Sequence, residues 1–224
     1  MNLKYNIVYS SRKTCGITVE RDRSVVVRAP YGTPQEKIEA IVEKKKLWLY
    51  EKVRHVQKHS GLLEEKEFVS GTTILYLGKN YRLEVISDPF DGILFDNKFL
   101  ISKASVSHAP TLFRDWYFKK AEEKIIPQVQ FYAKHLGVNY SNILVSDLKY
   151  RWGSCTPKNK LNFNWRLVKA PMRVIEYVIV HELAHLLESN HNAQFWAIIK
   201  SLLPDYLKAK EWLKQFGGLL EQQP

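Results

Sequence analysis

The sequence predicts an α+β fold, and three observations predict it. Short runs rich in β-branched and aromatic residues read as strands: Val25-Val26-Val27, Ile74-Leu75-Tyr76-Leu77 and Tyr81-Arg82-Leu83-Glu84-Val85. Longer stretches, Ile38 to Val53 and Pro110 to His135, repeat apolar residues at three- and four-residue steps and read as helices. The last third carries an apolar helix from Pro171 through Leu187, with two shorter helices after it.

Taken in order, residues 3 to 28 read as strands, with Cys15-Gly16-Ile17-Thr18-Val19 following a turn. Pro30, Gly32 and Pro34 punctuate the chain. A helix starts near Thr33-Pro34, with Glu36 as its matching acid, and runs to about His59 on Ile38, Ile41, Val42, Lys45, Leu49 and Val53. One hairpin turns at Gly78-Lys79-Asn80, and a second spans Ile93 to Ile101 around Asp96-Asn97. Gly137 closes the helix of 110 to 135, and Pro127 within it predicts a kink or a break. Asn142 to Lys149 and Lys160 to Val168 alternate as strands, the second with Leu161, Phe163, Trp165 and Leu167 on one side. The connector Arg151 to Asn159 is rich in turn formers. Ala193 to Leu203 and Tyr206 to Phe216 are the short helices, divided by Pro204-Asp205 and ended by Gly217-Gly218. The expected division is a β-rich N-terminal region with one long helix at 1–105 and a second domain at 106–224.

Composition excludes several classes. No apolar run approaches the ~18 residues that span a bilayer, and Met1 to Ser10 lacks the features of a secretory leader. Cys15 and Cys155 are the only cysteines, so no disulfide framework or Cys-x-x-Cys metal pair is readable. A cytoplasmic protein with free thiols and no membrane association is the expectation. The net charge of +11 permits nonspecific attraction to nucleic acid. The charges are spread, however, as on an ordinary solvated surface; the densest run is Lys44-Lys45-Lys46, followed by Lys52, Arg54 and Lys58. His55 and His59 share a helix face there, in basic surroundings without a following Glu, and read as solvated.

His181-Glu182-Leu183-Ala184-His185 is the pattern that carries chemistry. Two His four residues apart on a helix are about 40° apart around its axis and about 6 Å along it, so both imidazoles reach one ion. Glu182, beside the first ligand, approaches water on that ion without ligating it. Zinc lowers the pKa of such a water to about 7, and the carboxylate takes its proton as it attacks a peptide carbonyl. Ordinary residue frequencies give this pentapeptide on the order of once per hundred chains of this length, so context decides. Val178, Ile179, Val180, Leu183, Ala184, Leu186 and Leu187 make the helix apolar, and burying two imidazoles and a carboxylate there requires compensation that a cation supplies. His191 is the expected third ligand. On a continuous helix it would point about 120° away from His185, so the helix must end first, and Ser189-Asn190 supplies that end. Glu188 and Glu211 are the competing third ligands.

With these residues assembled, the chain resembles the YgjP-like metallopeptidases, a group related to the SprT-like zinc proteases. The resemblance rests on RWGSCTPKNKLNFNWRLVKAP at 151–171 and VIEYVIVHELAHLLESNHNAQFWAIIKSLLPDY at 174–206. It implies a zincin-like catalytic domain with a small sheet and an HExxH active-site helix. It further implies one Zn2+ per chain on His181, His185 and His191, Glu182 as the catalytic residue, and a peptide or protein substrate.

Four further residues are candidates for substrate binding. The 160–168 strand could pair at a sheet edge with an extended substrate, Asn162 and Asn164 facing away from the apolar side, or it could be an internal strand. Arg151 and Trp152 could lie beside the metal, or form a structural turn with Trp152 in the core. Two other functions are consistent with the chain: an SprT-like protease recruited to nucleic acid, and a non-catalytic zinc-binding protein whose N-terminal region binds a partner.

Overall fold

The computed structural model describes residues 4–19, 24–54, 67–148 and 151–222. The chain parts by packing into two compact units, 1–60 and 61–224. His55 and His59, the end of the first expected helix, and Lys149 lie outside the described residues.

In the first unit, β1 (Tyr5–Ser10), β2 (Gly16–Val19) and β3 (Val25–Pro30) form a sheet in the order β1-β3-β2. β3 is central, parallel to β1 and antiparallel to β2. Its Val25, Val27 and Ala29 bury with Ile38, Val42 and Leu49 of two helices, α1 (Gln35–Lys44) and α2 (Lys46–Arg54). One continuous helix was expected here, but it breaks at Lys45, whose φ of −103° and ψ of 8° leave the helical range.

The second unit opens with a four-stranded sheet ordered β4-β5-β7-β6: β4 (Thr73–Tyr76), β5 (Lys79–Ile86), β6 (Leu94–Phe95) and β7 (Phe99–Ser102). The first hairpin turns at Leu77-Gly78, one residue before the expected turn. Both residues have positive φ, 47° and 78°, as a two-residue hairpin loop requires. Tertiary bonds hold the non-glycine residue there: the Leu77 amide donates to the Val168 carbonyl at 3.0 Å and the Gly78 amide to the Lys169 carbonyl at 2.8 Å. A Cβ on Gly78 would stand 2.6 Å from Cγ of Pro171. Gly78→Ala combines a left-handed backbone with overpacking, and is expected to cost about 2–4 kcal/mol in urea unfolding. A loss below about 0.5 kcal/mol, the range of an ordinary surface substitution, would show that the hairpin tip backs away freely.

Helix α3 (Ala109–Leu136) is the spine of this unit. Ala109, Phe113, Tyr117, Ala121, Ile125 and Val129 are buried at four-residue steps. The helix passes through Pro127 without a break, because Pro127 is exposed and so is Glu123, whose carbonyl the ring leaves unbonded and open to hydration. Gly137 caps it with φ 64°. Strands β4 to β7, on the N-terminal side of the 105/106 division read from the sequence, share one core with α3.

A second sheet in this unit contains β8 (Asn142–Ser146), β9 (Gly153–Cys155) and β10 (Lys160–Asn164) in the order β8-β10-β9. β10 is parallel to β8 and antiparallel to β9, so it is the central strand. Of the two readings of this strand, edge or internal, the pairing matches the internal one: both sides of its backbone are already paired. The strand also ends at Asn164, and Trp165–Lys169 is a 3₁₀ helix. Lys169, 2% exposed, passes over the rings of Tyr117 (4.9 Å) and Trp165 (5.3 Å). It donates to the carbonyls of Leu220 (3.4 Å) and Gln222 (2.8 Å), at the end of the last helix, where a cation is favoured.

Three helices complete the unit: α4 (Met172–Ala184), α5 (Ala193–Leu202) and α6 (Tyr206–Leu220). α6 continues through Gly217-Gly218, where the sequence suggested an end. Gly217 is buried, with the Trp152 indole 3.4 Å from where a Cβ would stand. No helix among the described residues is long and apolar enough to cross a membrane.

Candidate metal centre

α4 is the most deeply buried helix of the site. Val174, Ile175, Tyr177, Val178, Ile179, Val180, Leu183 and Ala184 leave it no solvated face over most of its length, which fixes its rotation. Its last turn carries His181 and Glu182, and His185 is the C-cap residue, still helical at φ −66° and ψ −16°. The Leu187 and Glu188 amides close the last turn onto the Ala184 carbonyl at 3.0 and 2.9 Å. The chain then bends at Ser189-Asn190, as turn formers do, and returns.

That return brings His191 back to the helix. Among the described residues, His181, His185 and His191 are the group able to hold a metal ion, with ligand atoms all within 4.8 Å of one another. Nε2 of His191 lies 3.1 Å from Nε2 of His181. Two nitrogens on one tetrahedral zinc at ~2.05 Å stand about 3.3 Å apart, so this spacing suits a shared ion. His185 Nδ1 lies 3.2 Å from the Glu188 carbonyl, a bond that leaves Nε2 with its lone pair free. Nδ1 of His181 is buried without a hydrogen-bond partner. Burial, then the neighbouring His185, His191 and Lys210, push the His181 imidazole down to about 3; the same kinds of influence lower His191. The neutral, ligating form is the one these surroundings favour. An all-imidazole set of this kind fits zinc. The competing acids Glu188 and Glu211 are not members of that group, and Glu211 faces Lys214 at 3.7 Å.

Glu182 is 7% exposed. Burial pushes its carboxyl up to about 7, against the backbone N–H of Cys155 and the charge of Arg151, which pull it down. β9 supplies that amide and lies directly on the side chain: a Cβ on Gly153 would stand 2.7 Å from Cγ, 2.8 Å from Oε1 and 3.0 Å from Cδ of Glu182. Only glycine leaves this space, so the carboxylate is wedged between a helix and a strand. Sequence reasoning missed Gly153, although an isolated glycine within a strand signals close backbone approach. It also missed the cap of α5, where the Asn192 side chain accepts from the Phe195 amide at 2.9 Å.

The four candidate substrate residues separate. Arg151 is exposed and near enough for its charge to act on Glu182. Trp152 packs against Gly217 and the core, which is the structural of its two readings. Asn162 accepts through Oδ1 from the Ser146 hydroxyl at 2.9 Å, tying β10 to β8. Asn164 is 0% exposed. Its Nδ2 donates to the carbonyls of Leu148 (2.8 Å) and Arg151 (3.2 Å), and its Oδ1 accepts from the Arg166 amide (3.1 Å). It therefore fastens Leu148 and Arg151, with both amide hydrogens used and the side chain closed off from solvent.

Three imidazoles thus converge at the end of a helix that also carries a buried carboxylate. The chain belongs to the YgjP-like, metallopeptidase domain family, whose model matches residues 13–216. No curated protein matches the chain. Among solved structures it is similar to the metallopeptidase zymogen of Pyrococcus abyssi abylysin, at 19% identity and a TM-score of 0.38, covering 44% of this chain and 97% of that one. It is likewise similar to the metallopeptidase zymogen of Methanocaldococcus jannaschii jannalysin, at 25% identity and a TM-score of 0.38, covering 42% and 96%.

Proposed function

We propose that the chain is a zinc-dependent peptidase in which His181, His185 and His191 hold one ion and Glu182 is the general base. The observation that carries this reading is the convergence of the three imidazoles at the end of the helix that also carries Glu182. The ion, when bound, supplies Lewis acidity and makes water acidic enough to lose a proton near neutral pH. The protein's own part is then clear. The three imidazoles orient, and the Glu182 carboxylate accepts a proton from the attacking water and delivers it to the leaving amine. The Cys155 amide and the Gly153 backbone keep that carboxylate at one position. Arg151, at the exposed side, is suited to hold a carbonyl oxygen of the substrate or the charge that develops on it. A purely structural metal site has no use for a buried base, which weighs against the non-catalytic alternative.

The test is metal content with peptide-library cleavage on the same samples. About one zinc per chain is expected in the wild type, since catalytic zinc sites bind a single ion through three protein ligands. Loss of both zinc and cleavage is expected in His191→Ala. A wild type that takes up no zinc after loading would overturn the reading. Full zinc in His191→Ala would move the third ligand to another residue.

A further inference from the structure

His191 is the ligand that the helix does not hold. His181 and His185 are half-buried on α4 and its cap, whereas His191 is exposed, in an irregular stretch between α4 and α5. An exposed side chain on a bend samples several rotamers, and a three-ligand site needs one of them. The structure shows what restrains it. The Trp196 ring stacks on the His191 ring, with centroids 5.8 Å apart and planes 27° from parallel. The same indole donates through Nε1 to the His191 backbone carbonyl at 3.2 Å. One side chain therefore fixes both the backbone and the ring of the ligand.

Trp196 is itself held. Tyr206 of α6 stacks on it at 5.6 Å and 15°, and Tyr177 of α4 stacks on Tyr206 at 6.3 Å and 17°. The edge of Tyr177 meets His181 at 5.9 Å. A row of three aromatic rings, one from each of α4, α5 and α6, thus runs from one candidate ligand back to another. Lys210 Nζ stands 4.1 Å from the centroid of the Trp196 ring, a cation–π contact that adds to the hold. The fully buried Phe195 beside it packs α5 on α4, 5.0 Å from His181 and 4.7 Å from His185, while Trp196 is only partly buried against the core and adds the contacts to His191.

We propose that Trp196 is a positioning residue for the third metal ligand, holding His191 in its ligating geometry before the ion arrives. The inference rests on the metal-centre reading above. The readout is zinc affinity of the full chain by competition with a chromophoric chelator, with melting of the metal-free protein alongside. Trp196→Ala is expected to weaken zinc binding about 10- to 100-fold, the range for partners that orient a ligand, with the metal-free protein still folded. Trp196→Phe keeps a ring but loses the N–H, and is expected to weaken it about three- to tenfold, the worth of one hydrogen bond. A folded Trp196→Ala with wild-type affinity overturns the proposal. If Trp196→Ala does not fold, Trp196→Phe decides, and wild-type affinity there overturns it. A wild type without zinc affinity removes the metal-centre reading and this role with it, whereas tight wild-type binding unchanged in the variants removes this role alone.

Discussion

Replacing Glu182 by Gln is expected to slow peptide cleavage by on the order of 10²- to 10⁴-fold while leaving about one zinc per chain in place, the signature of a lost general base. The amide matches the carboxylate in shape, so it fits under Gly153 and still offers an oxygen to the Cys155 amide. What it lacks is the ability to take a proton at neutral pH. The loss should fall on kcat rather than KM, because the side chain acts on the attacking water and not on the resting substrate. Zinc analysis and steady-state kinetics on one preparation check it. A Glu182→Gln protein that cleaves at the wild-type rate would place the base elsewhere. One that has lost its zinc would make Glu182 a ligand.

Gly153→Ala should have the next largest effect, although residue 153 bears no functional group. β9 cannot simply withdraw from α4, since Gly153 is registered opposite Phe163 of the central strand β10. The added methyl would sit within 3.0 Å of three Glu182 atoms, so the carboxylate has to shift. A displacement of about 1 Å in a catalytic group costs on the order of 10²-fold in rate. The overpacking itself costs about 1–3 kcal/mol of stability. The expected result is a folded protein with full zinc and strongly reduced kcat. Activity within twofold of wild type would show that Glu182 relaxes into another productive position.

Much of this was legible in the chain because it is written at short range. HExxH places two imidazoles on one helix face by helical geometry alone, and the turn formers at 189–190 foretell the bend that returns His191. The buried stripe of α3 and the cap at Gly137 follow from residue spacing. What was not legible has long-range causes. Nothing local in Lys160 to Asn164 reveals that β8 and β9 flank it on both sides, so the sequence leaves edge and internal strand both open. Asn164 lies on the side facing away from the apolar face, yet it is buried and the carbonyls of Leu148 and Arg151 take its amide. Trp152 meets Gly217, 65 positions later, and that pairing alters both readings: the indole leaves the substrate list, and the glycine becomes helix interior. Gly153 escaped because the feature that matters there is a missing atom.

The burial of α4 also divides the centre into two parts with different capacities for change. Two imidazoles and the carboxylate sit on a helix enclosed by core residues on nearly every side, and any substitution that rotates it disturbs dozens of packed atoms at once. The remaining parts, the 188–192 return and the 151–155 segment, are short and partly solvated. Natural drift and laboratory evolution alike would find their freedom in those two segments. New substrate ranges or altered metal preference should arise there, with the helix inherited unchanged.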